Sequence, residues 1–425
     1  MERKIEEFYH KWKNDIIRKP LVLYGAKQIG KTFSVLEFGK KEYKNTVYFN
    51  TDNNKELLGV FKKERSTEKI ILNLSLLSGE TILKDDSLII LDNVIDNDII
   101  KGLKIFGSEH SKYHFIAITS KKEKLSEFKG EELQFKGMTS MDFEEYLWAR
   151  GEKSLAELIK ESFSKKKTCP FHKVALDLFM EYLETGGMPE VIYASLQGKN
   201  SYELDAIKQK IIDVYKKEVA LNSVLIDIPR GLEVIDSVPE QLKKDNKKFQ
   251  YGLMGVGKRK KEYESTINYL VNNQIVSRSN KIKTIKSPLS SCKEKESFKL
   301  YCCDEGLLFT MLHFNKKQLL SDENKKEILY ENHLAKTLGD GGYSLYYYQS
   351  EGKAEVNFVI QNRNGQIIPI ELTTKSNSKA KSLAVLMKKF TIVQAYRITE
   401  NNFSTKKEIR YIPIYAAFCL KDSKI

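Results

Sequence analysis

One stretch of this 425-residue chain has the residue types and spacing for phosphate chemistry. Gly25, Ala26, Lys27, Gln28, Ile29, Gly30, Lys31 and Thr32 satisfy the pattern G-x-x-x-x-G-K-[ST] without a mismatch. Glycine at both ends lets the loop fold tightly, so that successive backbone N–H groups converge on a phosphate. A helix starting where the loop stops adds its N-terminal dipole to the same anion site. Lys31 would reach the β- and γ-phosphates and Thr32 would hold Mg²⁺. Gly25, Gln28, Ile29, Gly30, Lys31, Thr32 and Phe33 are the candidate cofactor contacts, with ATP and Mg²⁺ as the expected ligands.

A second carboxylate-bearing stretch completes the candidate site. Ser87 to Asp92, SLIILD, is a continuous apolar run ending in an acid, the form of a buried central strand with a carboxylate at its C-terminal edge. Ligands of open α/β sheets bind at that edge, so Asp92 is placed to reach the Mg²⁺ held near Thr32. The next residue, Asn93, can orient a water but cannot accept its proton. The later run HFIAITS ends in Thr119 and Ser120, where a side chain would meet the γ-phosphate. Asp92, Asn93 and Ser120 are the candidate catalytic residues. Between Arg65 and Arg150 the chain has no arginine, so a transition-state arginine must come from Arg150, Arg230 or another subunit.

These residues need a scaffold, and the surrounding pattern predicts one. Leu21 to Tyr24 reads as the strand before the loop, and Phe33, Leu36 and Phe38 give the helix after it an apolar face. Residues 1 to 20 read as a leading helix broken at Arg18-Lys19-Pro20, and Asn45 to Asn50 as a second strand. Strands alternating with helices indicate a parallel α/β sheet.

The length predicts two or three domains, and a composition 41% apolar and 30% charged is that of a soluble globular protein. No run of 18 apolar residues is present and the N-terminus, MERKIEEFYHKW, is charged, so a cytoplasmic protein without a membrane span is expected. Five scattered cysteines without a C-x-x-C pair argue against zinc or redox chemistry. A net charge of +14 favours polyanionic partners, or else marks a lysine-rich solubilising surface.

Residues 141 to 200 are helical in pattern, with a stop and restart at Gly186-Gly187-Met188-Pro189, and are expected to form a lid over the nucleotide. Residues 201 to 298 read as helix, turn, helix and a hairpin around Ile275-Val276 and Ile282 to Ile285, the layout of a winged helix. Lys243, Lys244, Lys247, Lys248, Lys258, Arg259, Lys260 and Lys261 crowd this segment and are the candidate nucleic-acid contacts, the alternative being a solvated basic face. Residues 299 to 425 read as a further α/β unit. Its strands Ala354 to Gln361 and Gln366 to Thr374 are joined across Asn364-Gly365.

The segments GAKQIGKT, LIILDN, MTSMDFEEYL, GGMPEV, FKLYCCDEGLL, LYENHLAKTL, AEVNFVI and PIEL together resemble a family of bacterial and archaeal AAA-type ATPases with a C-terminal restriction-endonuclease-like domain of unknown function. The resemblance implies a P-loop ATPase core over 1–140, a helical lid over 141–200, a winged-helix domain over 201–298 and the nuclease-like α/β domain over 299–425. Where that family carries a Glu after the strand aspartate, this chain has Asn93. Where its nuclease-like pattern reads E-V-D-F and I-E-V-K, this chain has Glu355-Val356-Asn357-Phe358 and Ile370-Glu371-Leu372-Thr373. Asn357 and Thr373 remove a metal-binding charge and the lysine, leaving Glu371 with Glu331, and Lys375 two residues further on. The implied function is ATP binding with slow turnover, coupled to an inactive nuclease-like domain that meets nucleic acid or a protein partner, in a monomer or homo-oligomer. A scaffold that holds ATP without turnover is the alternative, and a metal-dependent nuclease is the third reading.

Overall fold

Apolar runs alternating with amphipathic helices in the first 140 residues build a parallel sheet. In a computed structural model, which describes residues 1–52, 54–64, 66–108, 112–121, 131–220, 227–350, 355–374 and 381–422, two compact units are seen. One is Met1–Ser140 with Asn272–Gln274, and the other is Met141–Val271 with Ile275–Ile425.

The first unit carries β1 (Leu21–Tyr24), β2 (Asn45–Asn50), β3 (Ser87–Asp92), β4 (His114–Thr119) and β5 (Gln134–Gly137). Their order is β2-β3-β4-β1-β5 and every pairing is parallel. Every residue of β3 and β4 is buried, because helices cover both faces of a parallel sheet. The edge strand β2 alternates instead, sending Val47 and Phe49 into the core and Tyr48 outward. Core side chains such as Phe61, Leu74, Leu103 and Phe106 pack on one face with Ile89 and Leu91, each contributing roughly 1.5–3 kcal/mol by leaving water. On the other face, the helix Ile5–Lys13 buries Tyr9 and Trp12, and the Tyr9 ring lies 5.1 Å from that of Phe38 in the helix Lys31–Glu42.

Register then sets the site. Asn50 stands beside Asp92 on β2 and β3, and Tyr24 beside Thr119 on β1 and β4. The turns that follow β1, β3 and β4 therefore leave from one edge of the sheet.

The second unit is built on β6 (Val276–Ile282), β7 (Lys293–Cys302), β8 (Leu345–Gln349), β9 (Glu355–Gln361), β10 (Ile367–Leu372), β11 (Ala395–Thr399), β12 (Ser404–Lys406) and β13 (Ile409–Pro413). They form one mixed sheet in the order β12-β13-β11-β10-β9-β8-β6-β7. The turn between β9 and β10 falls where Asn364-Gly365 places it, with Gly365 at φ 83°. The last strand ends at Pro413 and gives way to a short 3-10 turn.

One expected boundary is corrected here. The hairpin expected as a wing is β6 paired antiparallel with β7, and β6 also pairs in parallel with β8, so a single sheet runs across the boundary expected at 298/299. An apolar pattern identifies a strand but not its neighbours, and β8 lies far along the chain. The helices Phe143–Ala149, Lys153–Lys165, His172–Thr185 and Pro189–Leu196, expected as a lid, belong to the second unit. Their aromatic residues share its core: Phe179 packs on His333 at 4.9 Å and on Tyr330 at 5.8 Å, and Phe143 faces Phe418.

Candidate nucleotide-binding site

The phosphate-loop residues fold as the spacing requires. Gly30 takes φ 87° at the start of the helix Lys31–Glu42, a left-handed turn that costs glycine little and other residues more. At the other end, a Cβ on Gly25 would lie 2.2 Å from the Met138 carbonyl oxygen, so no larger residue fits beneath the loop. Lys31 is buried and donates from Nζ to the carbonyls of Gly25 at 2.8 Å and Ala26 at 2.6 Å, which holds its charge at the mouth of the loop.

The Thr32 hydroxyl donates to Asp92 Oδ2 at 2.7 Å, joining the loop to the end of β3. The same oxygen accepts the Tyr48 hydroxyl at 3.0 Å, and Oδ1 accepts the Asn93 N–H at 2.8 Å. Burial, with the Asp92 charge beside it, pushes the Tyr48 phenol up to about 12, so it remains a donor at neutral pH. Asn93 sits at φ 59°; its side-chain amide donates to Asn50 Oδ1 at 3.2 Å and its carbonyl accepts the Thr51 hydroxyl at 2.8 Å.

These groups border one open cleft of about 290 Å³, lined by Lys27, Gln28, Gly30, Lys31, Thr32, Phe33, Asp92, Asn93, Ile118, Thr119 and Ser120. Of the expected contacts, Gln28, Gly30, Lys31, Thr32, Phe33, Asp92, Asn93 and Ser120 meet there. Gly25 and Ile29 lie under the loop instead, with the Ile29 side chain turned into the core at 2% exposure. The cleft fits a triphosphate with Mg²⁺: a lysine ammonium and a helix N-terminus face anionic oxygens, and a paired hydroxyl and carboxylate suit a hard cation. Arg150 and Arg230 lie in the second unit and pair there with Glu181 at 3.2 Å and with Asp227 at 3.2 Å.

The family described as an AAA domain matches residues 17–147. The first unit has an AAA-type P-loop NTPase fold. Two families described as domains of unknown function, DUF8612 and DUF4143, match residues 176–318 and 326–417. Among solved structures, similarity is found to a Signal Transduction ATPase with Numerous Domains (STAND) protein with a tetratricopeptide repeat sensor from Pyrococcus horikoshii. It is 14% identical, over 80% of this chain and 45% of that one, at a TM-score of 0.28. This chain thus spans under half the length of that protein. The Thermotoga maritima RuvB Holliday junction branch migration motor is 12% identical over 49% of this chain and 76% of its own, at a TM-score of 0.24. A variant of that motor is 11% identical over 65% and 86%, at 0.29. No curated protein sequence matches the chain.

The second unit rearranges the other expected sites. Glu331, 1% exposed, accepts Lys299 Nζ at 3.0 Å and Tyr301 hydroxyl at 2.7 Å on one oxygen, and Lys247 Nζ at 2.8 Å and Asn357 Nδ2 at 3.1 Å on the other. Burial alone would raise its carboxyl, but the two lysine charges outweigh it and hold Glu331 well below the usual carboxylate range. Lys299 also pairs with Glu355. Glu331 and Asn357 are thus together, whereas Glu371 lies 2.9 Å from the Arg397 guanidinium, and burial raises its carboxyl against that charge. The Thr373 N–H donates to the Ile398 carbonyl. Lys375 lies outside the described residues. Among the described residues no group of three or more His, Cys, Asp or Glu is placed to hold a metal ion.

The basic cluster is also partly internal. Lys247 leaves the candidate nucleic-acid surface, being buried on Glu331 and on Glu327 at 3.0 Å. Lys243 pairs with Glu240, Lys258 with Glu233 and Lys260 with Glu264, while Lys244 donates to Gln250. Lys248, Arg259 and Lys261 are exposed. Among the described residues no helix is long and apolar enough to cross a membrane.

Proposed function

We propose that the chain binds ATP with Mg²⁺ in the cleft between Gly30 and Ser120 and turns it over slowly. The observation that carries the reading is the 2.7 Å contact between Thr32 and Asp92, which joins a phosphate loop to a strand carboxylate as a nucleotide-bound Mg²⁺ requires. Mg²⁺, when bound, would neutralise charge on the phosphates, with Thr32 and Asp92 holding it. Gly30 and the helix N-terminus present N–H groups to the phosphate, and Lys31 adds a point charge. Asn93, fixed by Asn50 and Thr51, orients a water but leaves its proton without a carboxylate acceptor, which limits the rate.

The nuclease-like part of the second unit is read as inactive, because lysine ammoniums, Tyr301 and Asn357 already occupy Glu331. The exposed Lys248, Arg259 and Lys261 support a nucleic-acid backbone as partner, and a protein partner or a second copy of the chain is the competing occupant. A cytoplasmic location agrees with this reading. An ATP titration and a phosphate-release assay, each with and without duplex DNA, test it. Binding with slow turnover supports the reading, and binding with none over hours favours the second reading, an ATP-holding scaffold, to which Asn93 also points. Absence of binding overturns both.

A further inference from the structure

The segment just before the N-terminal helix contributes a side chain to the underside of the phosphate loop. Arg3, 7% exposed, donates from one guanidinium nitrogen to the Ile29 carbonyl at 2.9 Å and from the other to the Thr139 carbonyl at 2.7 Å. Ile29 is the loop residue just before Gly30. The peptide between them is planar and trans, so its carbonyl and N–H point in opposite directions. A carbonyl held down on Arg3 therefore turns the Gly30 N–H toward the cleft that Gly30 lines. The second carbonyl belongs to the strand end that already supports the loop's other terminus: Met138 donates its N–H to Tyr24 and sets its carbonyl against Gly25. Both ends of the loop are thus referred to one segment, Met138–Thr139, and Arg3 ties the second end.

We propose that Arg3 is a positioning residue for the nucleotide phosphates, fixing the Ile29–Gly30 peptide so that its N–H meets a phosphate oxygen. The inference rests on the nucleotide-binding reading. Left to itself, that peptide can flip and present a carbonyl oxygen to an anion, which repels it; the guanidinium opposes the flip because the buried carbonyl would lose its donor. The effect is confined to ligands with phosphates seated in the loop.

Isothermal titration with Mg-ADP and with AMP separates this from a general brace. Arg3→Ala should bind Mg-ADP at least tenfold more weakly than wild type while AMP affinity changes less than threefold, and Arg3→Lys, which reaches one carbonyl, should fall between. Tyr9→Phe removes a contact of the helix that follows Arg3, its hydrogen bond to Ser34, and should lower the melting temperature without changing the ADP affinity. If Arg3→Ala does not fold, the Arg3→Lys variant carries the test, with a several-fold loss for ADP alone. Wild-type ADP affinity in Arg3→Ala, or in Arg3→Lys when that variant carries the test, would overturn the proposal, as would equal losses for ADP and AMP. A wild-type chain binding neither nucleotide would overturn the reading of the site itself.

Discussion

Tyr48, on the edge strand β2, donates its hydroxyl to the Asp92 oxygen that also takes the Thr32 hydroxyl, at 3.0 and 2.7 Å. Asp92 is therefore gripped from two sides, and a metal held there would have to share it with those hydroxyls. Asp92→Asn keeps an oxygen for both donors but removes the anion. ATP affinity in the wild type should rise about tenfold or more with Mg²⁺, a difference of ~1.4 kcal/mol. That enhancement should vanish in Asp92→Asn and survive in Tyr48→Phe, read by titration with and without EDTA.

Hydrolysis should be limited at Asn93. Supplying a carboxylate with Asn93→Glu should raise turnover on the order of 10² or more, the usual contribution of a placed general base. Asp96 is already committed to the N–H of Asp98 at the start of its helix, so Asp96→Ala should leave the rate within about threefold. Brisk wild-type turnover abolished by Asp96→Ala would reverse these roles.

Much of the first unit was legible because its signals are local. SLIILD and HFIAIT are continuous apolar runs, and they are buried strands at those positions. In the second unit, Asn364-Gly365 likewise marked its turn, because a left-handed φ is needed there and glycine supplies it. What failed was non-local. Nothing in residues 276–282 says that β8, some seventy residues on, is their parallel neighbour. A lysine count saw the charge of Lys247 but not Glu331 beneath it, and a single arginine at position 3 makes no pattern at all.

The Glu331 cluster should behave as structure. Glu331→Ala leaves Lys247 and Lys299 buried without their shared anion, and losing one partner of a buried pair costs about 3–5 kcal/mol. Denaturant unfolding followed by probes in the second unit should show it. A loss below about 1 kcal/mol would mean that the lysines find water instead.

His114 gives the first unit a pH dependence. Burial, together with the Arg18 charge, lowers its imidazole to about 4, and a ring nitrogen lies 2.7 Å from the Tyr43 hydroxyl. The folded value lies below the unfolded one, so the unfolded chain binds the proton first. Stability from this group is full above pH ~6.5 and is lost as pH falls toward 4, by up to ~3 kcal/mol. His114→Gln should flatten that slope between pH 6.5 and 4 in first-unit melting curves; an unchanged slope would assign the effect to other groups.

The nucleotide-induced shift in first-unit melting, compared between wild type and Lys31→Ala, tests the central claim most directly. Lys31 donates to the loop's own Gly25 and Ala26 carbonyls, so the variant should fold. With Mg-ATP at a hundredfold excess over its dissociation constant, the wild type should gain about 2.7 kcal/mol of stability and Lys31→Ala should gain none. An equal shift in both proteins would contradict the assignment of the site.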